Sequence, residues 1–395
     1  MIKRELYLKQ LKDYQNKPFI KVLTGLRRVG KSTIIDQFAQ ELISLGVIEA
    51  NILKINFELP ESFSIGGYQE LTDYVLEWAK NKVGPLYLLL DEVGRVNAWE
   101  KAVNAFHAMN IFDIYITGSN ADLLSSDLST YLAGRYLEIT VYPLSYQEFI
   151  VLYPKGTFND YVNFGGMPSI ESLNLDYALS MNILRDSFKS AVLQDIVSRY
   201  KIRNTVVLEK IIQYVFTNIG KTFSANSISN YFKSQKIGVS VDTVLNYLNN
   251  IEQAFLIHKV KRHDLIGKRV LKTEEKYYIT DHGMREALVG NNNQVIEMIL
   301  ENIVFNELLR RGFKVYIGKV NQYEIDFVAI KENKIHYYQV TYLMNNEDTR
   351  KREFGVYNHI KDNFPKYVIS MDEIDFTQDG IIHLNIIDFL LNDNL

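Results

Sequence analysis

The sequence predicts an α/β fold shared among several domains, and three observations carry this. The chain has 395 residues, and at roughly 100–200 residues per domain it holds two to four of them. Between Pro18 and Pro143, short apolar runs alternate with stretches of helical period, the pattern of parallel βαβ units with a sheet covered on both faces. After Pro143 the pattern turns helical, then returns from Glu297 to helix–strand–strand order. Hydrophobic residues make up 47% and charged residues 23%, a globular balance that excludes a disordered chain. Without cysteine, disulfides, thiolate metal sites and a cysteine nucleophile are all excluded.

In the N-terminal part the strand candidates are residues 19–23, 52–56, 86–90, 114–117 and 137–141, with helical stretches at 32–45 and 68–82. Residues 177–200 read as one long helix with Leu179, Ile183, Leu184, Phe188, Ala191 and Val192 on one face. Short helices and two strands, 256–261 and 276–280, follow. The C-terminal part reads as helix 297–311, strands 314–317, 324–330 and 335–341, helix 347–363 and strand 366–370.

Residues 25–32 read GLRRVGKS, a full match to G-x-x-x-x-G-K-[ST] placed between the first apolar run and the first helical stretch, the context this motif requires. Gly25 and Gly30 allow the backbone to turn its N–H groups toward phosphate oxygens, and the following helix N-terminus adds its positive end. Lys31 is expected on the β- and γ-phosphates and the Ser32 hydroxyl on Mg²⁺. The expected nucleotide-binding set is Gly25, Arg28, Gly30, Lys31, Ser32 and Thr33, with ATP as ligand. Arg27 stands beside Arg28 inside the loop, and a contact from both is not expected.

The run LYLLLDE ends in Asp91 and Glu92, which a buried parallel strand would place at the C-terminal edge of the sheet, where α/β ligands bind. Asp91 is expected to hold Mg²⁺ through water and Glu92 to polarise the attacking water. In IYITGSN, Asn120 is the first choice and Ser119 the second for a residue sensing the γ-phosphate, against the reading of Asn120 as a helix N-cap. Arg135, at the entrance of the last strand, either stabilises charge on the transferring phosphoryl group, in cis or from a neighbouring subunit of a homo-oligomer, or forms a surface ion pair.

These segments, together with PLSYQEF, LQDIVSRYKIRN, LKTEEKYYITDHGMREAL and ENIVFNELLRRGFKVYIG, resemble a large group of prokaryotic AAA-like ATPases with a C-terminal domain of unknown function. The resemblance covers nearly the whole chain. It implies a P-loop NTPase domain (residues 1–145), a helical connector (146–205), a winged helix (206–290) and a small α/β domain resembling the PD-(D/E)XK nuclease fold (291–395).

The residues support the winged helix independently. Ser224 and Ser240 are good N-caps. After Ser240, Val241, Val244, Leu245, Leu248 and Ile251 form one apolar stripe, leaving Asp242, Thr243, Asn246, Asn249 and Asn250 on the open face, able to read base edges. A turn with Lys268, Arg269 and Lys272 joins the two strands like a basic wing. Residues 199–276 hold 14 Lys and Arg against 6 Asp and Glu, which suits DNA phosphates. A protein-docking or dimerisation role stays open.

In the C-terminal unit the resemblance implies a decayed site. Asp326 is in place, Gln339 stands where an acid is expected and Thr341 where a lysine is expected. Gln339 and Thr341 share one strand face, but one carboxylate beside an amide holds Mg²⁺ weakly. Glu301 belongs to the same resemblance, and Glu301 and Glu297, one helical turn apart, could supply carboxylates, but the favoured expectation is that they are exposed helix acids. The seven histidines show no metal-ligand spacing, so no zinc site is expected.

The N-terminus has no long apolar run, and no stretch reaches the 18 residues of a spanning helix. A cytoplasmic, soluble protein is expected. The leading function is Mg²⁺-dependent ATP hydrolysis driving a conformational cycle on DNA. A slow nucleotide-regulated scaffold recruiting protein partners and an ATP-gated nuclease stay open. A small-molecule kinase is disfavoured by the Asp-Glu pair and the C-terminal half.

Overall fold

The computed structural model describes residues 2–118, 134–265, 267, 269–270 and 275–392. It divides into two compact units, Met1–Val141 and Tyr142–Leu395.

In the first unit five strands form one parallel sheet: β1 (Ile20–Thr24), β2 (Ile52–Asn56), β3 (Leu86–Asp91), β4 (Phe112–Thr117) and β5 (Tyr136–Thr140). Their order is β2-β3-β4-β1-β5. β1 and β3 are buried at every residue, which is why they read as continuous rather than alternating apolar runs. Helices α1 (Glu5–Asp13), α2 (Lys31–Ser44), α3 (Tyr68–Ala79) and α4 (Trp99–Met109) connect and cover the strands. Leu71 and Val75 of α3 and Ala102, Val103 and Phe106 of α4 close a core over Val22, Leu53, Leu88 and Ile114. Truncating such a buried leucine to alanine costs about 2–5 kcal/mol. Lys21 is the charged exception in β1. It is fully buried, pairs with Asp113 of β4 and donates to the Lys17 carbonyl at 2.9 Å.

The second unit starts with α5 (Tyr146–Leu152), α6 (Phe158–Phe164) and α7 (Tyr177–Ala191), the last continuing into a π-helical stretch, Val192–Ser198. Leu184, Phe188, Ala191 and Val192 are buried as expected, but Leu179 is exposed. There follow α8 (Thr205–Thr217), β6 (Thr222–Phe223), α9 (Ala225–Ser234), α10 (Val241–Gln253), β7 (Ile257–Val260), β8 (Arg262–Asp264), β9 (Arg269–Val270) and β10 (Glu275–Ile279). Ser224 and Ser240 cap α9 and α10 with their side chains. The C-terminal part comprises α11 (His282–Leu288), α12 (Ile296–Arg310), β11 (Lys314–Val320), β12 (Tyr323–Lys331), β13 (Lys334–Val340), α13 (Glu347–Gly355), β14 (Lys366–Ser370), β15 (Ile382–Asn385) and α14 (Ile386–Leu391).

Two sheets organise this unit: an antiparallel β6-β10-β7 and a mixed β15-β14-β13-β12-β11-β8-β9. The segment between β7 and β10 therefore departs from expectation. It is not a simple basic turn. β8 leaves the small sheet, pairs in parallel with β11 and turns back through β9, because the open edge of β11 offers unpaired backbone groups. Arg269 lies in β9, and Lys268 and Lys272 lie outside the described residues. The small sheet is also tied to α12, where Asn302 pairs with both backbone groups of Ile279, at 2.8 and 3.0 Å. The divisions expected after residues 205 and 290 thus fall inside one compact unit. Among the described residues no helix is long and apolar enough to cross a membrane.

Candidate functional site

The site is built at the C-terminal edge of the five-stranded sheet. β1 ends at Thr24 and α2 begins at Lys31, so residues 25–30 form the loop between them. Gly25 has φ +137°, and a Cβ there would lie 2.3 Å from the Val141 carbonyl oxygen, a position only glycine fits. Gly30, at φ +97°, is the N-cap of α2, so Lys31, Ser32 and Thr33 make the first turn, where N–H groups lack intrahelical partners. The Lys31 ammonium is buried within the loop, donating to the carbonyls of Gly25 at 3.0 Å and Leu26 at 3.2 Å. Arg28 is exposed. Arg27 is mostly buried.

Sheet order sets the rest. β4 lies between the strand of the loop, β1, and the strand of the acids, β3. Asp91 ends β3 and is 3% exposed. Ser32, in the first turn of α2, lies near enough to the Asp91 carboxylate to favour the charged form, which brings the two expected metal ligands together. Thr117, the last residue of β4, donates to Asp91 Oδ1 and accepts the Glu92 N–H at 3.1 Å. Asn56, the last residue of β2, donates to Asp91 Oδ2 at 2.9 Å. Burial pushes the Asp91 carboxyl above its ordinary value, against the hydrogen bond from Thr117, the nearby Ser32 and the charge of Lys31. Glu92 has φ +55°, a left-handed conformation that costs a non-glycine residue about 1–2 kcal/mol. Strain of this kind accumulates where a side chain must be aimed.

The structure therefore gathers Gly25, Gly30, Lys31, Ser32, Thr33, Asp91 and Glu92 at one edge. It does not bring Arg135 there. The Arg135 carbonyl accepts from the Ile20 N–H at 2.9 Å, and Tyr136 is the register partner of Ile20. That is the opposite, N-terminal end of β1, roughly 16 Å of strand from Gly25. Its guanidinium instead donates to Asn104 of α4. The cis alternative for Arg135 is corrected on this geometry, because a parallel strand starts at the edge its neighbour also starts from. Asn120 and Ser119 lie outside the described residues. Thr117 and Asn56 were missed. Their signal was positional: each is the polar residue that ends an apolar run, and Asn56 is the register partner of Asp91.

Two expectations in the second unit are also corrected. On α10, Asn250 is buried and Leu245 is 49% exposed, so Asp242, Asn246 and Asn249 present the open polar face. Val244, Leu248 and Ile251 keep the expected buried stripe, and the departures are Leu245, which leaves it, and Asn250, which joins it. Around Asp326, Glu301 is not an exposed helix acid. Its side chain is 16% exposed, and it accepts from Lys276 at 3.1 Å and from Tyr278 at 2.5 Å. Lys276, nearly buried, also pairs with Glu324 at 2.8 Å. Burial works against the Lys276 cation, but Glu301, Asp326 and Glu324 outweigh it and hold it above the ordinary lysine value. Burial and the charge of Glu301 raise the Asp326 carboxyl well above its ordinary value, against Lys276. Gln339 accepts from the Asp326 N–H at 3.3 Å, and Thr341 is buried. Among the described residues no three acidic or histidine side chains form a metal-binding group.

With this geometry in hand, the similarities to known proteins are specific. Residues 17–150 match the model of an AAA domain, and residues 155–295 match a domain of unknown function, DUF8612. An uncharacterized protein of Haemophilus influenzae is 39% identical over 99% of both chains. One from Methanocaldococcus jannaschii is 28% identical over 93% of this chain and 85% of its own. Among solved structures, a Walker-type ATPase of Pyrococcus abyssi aligns with a TM-score of 0.51 at 15% identity, over 73% of this chain and 96% of its own. The chain belongs to the family of the Haemophilus influenzae protein: an AAA-like P-loop NTP hydrolase domain joined to a C-terminal domain of unknown function.

Proposed function

We infer that the chain binds ATP with Mg²⁺, hydrolyses it, and uses the cycle to change conformation in contact with DNA. The observation that carries this reading is the convergence at one sheet edge of a loop that holds its lysine inside and the end of β3, where Thr117 and Asn56 fix the Asp91 carboxylate near Ser32. Ser32 and Asp91 offer hard oxygen donors that suit Mg²⁺. Bound there, the metal would neutralise charge on the β- and γ-phosphates.

The chain's own groups divide the remaining work. The backbone of residues 25–30 and the N-terminus of α2 cradle the phosphates, and Lys31 turns from the loop carbonyls to the γ end. Glu92 accepts a proton from water as its oxygen bonds to the γ-phosphorus. The bond to the β,γ-bridging oxygen breaks and its electron pair leaves with ADP. Thr117 fixes both acids. Asn120 remains the proposed sensor of the γ-phosphate. Arg135 acts, on this reading, from a neighbouring subunit of a homo-oligomer.

Residues 206–290 are read as a winged helix, supported by the order α8, β6, α9, α10, β7, β10 and the antiparallel β6-β10-β7 sheet. Residues 291–395 are read as a nuclease-like domain without activity, supported by α12 preceding the antiparallel β11-β12-β13. Residues 1–145 and 146–205 stay as the proposed ATPase domain and connector, and the cytoplasm as the proposed location. The test is ATP hydrolysis by the purified chain with and without single- and double-stranded DNA. Stimulation by one of them supports coupling. Turnover indifferent to both removes DNA from the reading.

A further inference from the structure

A carboxylate spans the mouth of the site. Glu58 Oε1 lies 2.5 Å from Arg95 Nη2 and 3.9 Å from Arg27 Nη1. The three residues come from three places. Arg27 is inside the loop after β1, Arg95 ends the short 3-10 turn Val93–Arg95 that follows Glu92, and Glu58 follows β2. In the order β2-β3-β4-β1, an ion pair from the end of β2 to the loop of β1 must cross the ends of β3 and β4, where Asp91, Glu92 and Thr117 lie. Glu58 is also fixed to that centre, since its N–H donates to Asn56 Oδ1 at 2.8 Å and Asn56 holds Asp91.

Phosphoryl transfer needs cations that meet charge developing on the γ oxygens, and Arg135 is at the wrong edge to supply one in cis. Arg27 and Arg95 are at the right edge. Their shared anion is one they can exchange. The side chains of Glu58 and Arg95 are 42% and 51% exposed, where an ion pair is worth at most about 1 kcal/mol. A γ-phosphate carries more charge and matches a guanidinium fork.

We propose that Arg27 and Arg95 are catalytic cations that act in cis on the transferring phosphoryl group, and that Glu58 holds them at the mouth until a triphosphate displaces it. This rests on the ATP-hydrolysis reading above. Water forms the new bond to the γ-phosphorus, the bond to the bridging oxygen breaks toward ADP, and Glu92 takes the proton. The two arginines keep their protons and gain phosphate contacts only at the γ position, which ADP lacks.

The experiment measures single-turnover ATP hydrolysis, and the affinities for ADP and a non-hydrolysable ATP analogue, on the full chain carrying Arg27→Ala, Arg95→Ala, Arg27→Lys, Glu58→Gln or Lys31→Ala. Arg27→Ala and Arg95→Ala are each expected to slow hydrolysis about 100-fold, below the 10³ or more of a single dedicated arginine because two share the charge. ADP affinity stays within about twofold, because no γ contact exists to lose. Arg27→Lys is expected to recover little, as a point charge lacks the fork. Glu58→Gln removes the competing anion and is expected to tighten the ATP analogue relative to ADP. Wild-type turnover in both alanine variants, or equal loss of ADP and analogue binding, overturns the proposal. If hydrolysis disappears in Lys31→Ala but persists in the arginine variants, this inference alone fails. Hydrolysis that survives Lys31→Ala refutes the parent reading as well.

Discussion

The Thr117 hydroxyl stands between the two acids of the site, donating to the Asp91 carboxylate and accepting the N–H of Glu92. One side chain at the end of β4 thereby fixes both the expected metal ligand and the backbone of the expected base. It is fully buried, so neither partner can substitute water for it cheaply.

Thr117→Val keeps the shape and removes the hydroxyl. Losing one buried partner costs about 1–3 kcal/mol, and each 1.36 kcal/mol in a barrier is about tenfold in rate. The expected outcome is kcat reduced about 10- to 100-fold with ADP affinity nearly unchanged, measured by steady-state kinetics and calorimetry. Full activity would remove Thr117 from the site.

Asp91 gives a pH test. Burial raises its carboxyl above the ordinary value, so folding favours the protonated form. That contribution is fully present below the unfolded carboxyl's value and is lost as pH rises through the folded one. Without metal, Asp91→Asn is therefore expected to melt above wild type at neutral pH, with the gap closing as pH falls into the ordinary carboxylate range. Each kcal/mol appears as about 2–4 °C in a domain of 150–250 residues. The same acidification weakens metal-dependent nucleotide binding. A melting gap that widens toward low pH would contradict the sign.

Lys276 is the cation among Glu301, Glu324 and Asp326. Removing one partner of a buried ionic group typically costs 3–5 kcal/mol, so Lys276→Ala is expected to lower stability by about that much in urea unfolding. Asp326→Asn on that background recovers part of it. The cation sits among the carboxylates, so no Mg²⁺- or Mn²⁺-dependent DNA cleavage is expected from the wild-type chain. Cleavage that disappears in Asp326→Ala would make the second unit a working nuclease.

The α10 face sets the DNA test. Asn246 and Asn249 are exposed and Asn250 is buried, so Asn246→Ala with Asn249→Ala is expected to alter sequence preference, whereas Asn250→Ala lowers stability. Neutralising Lys268, Arg269 and Lys272 together is expected to flatten the salt dependence by up to about 0.9 log unit per lost phosphate contact. No duplex binding at low salt would leave residues 206–290 as a protein-docking element.

The five parallel strands were legible because each is a short apolar run, and all lie within two residues of their expected limits. α1 and α4 were not drawn from the sequence, although Tyr7, Leu8 and Leu11 in one and Trp99, Ala102, Val103 and Phe106 in the other lie at helical spacing and are buried. The phosphate loop and Asp91-Glu92 were legible as contiguous motifs. Thr117, Asn56 and Lys276 were not, because their roles depend on which strand lies beside which. The order β2-β3-β4-β1-β5 and the transfer of β8 to a second sheet are long-range pairings that local periodicity does not encode. Arg135 illustrates the same limit: its motif was visible, but the edge of the sheet it occupies depends on strand direction.

The most direct test measures Mg²⁺-dependent ATP turnover and nucleotide affinity on the same samples of wild type, Lys31→Ala and Glu92→Gln. Lys31→Ala is expected to lose binding and turnover together, while Glu92→Gln is expected to bind ATP as wild type does and to release almost no phosphate. Equal turnover in wild type and Glu92→Gln, or hydrolysis that survives Lys31→Ala, would contradict that expectation.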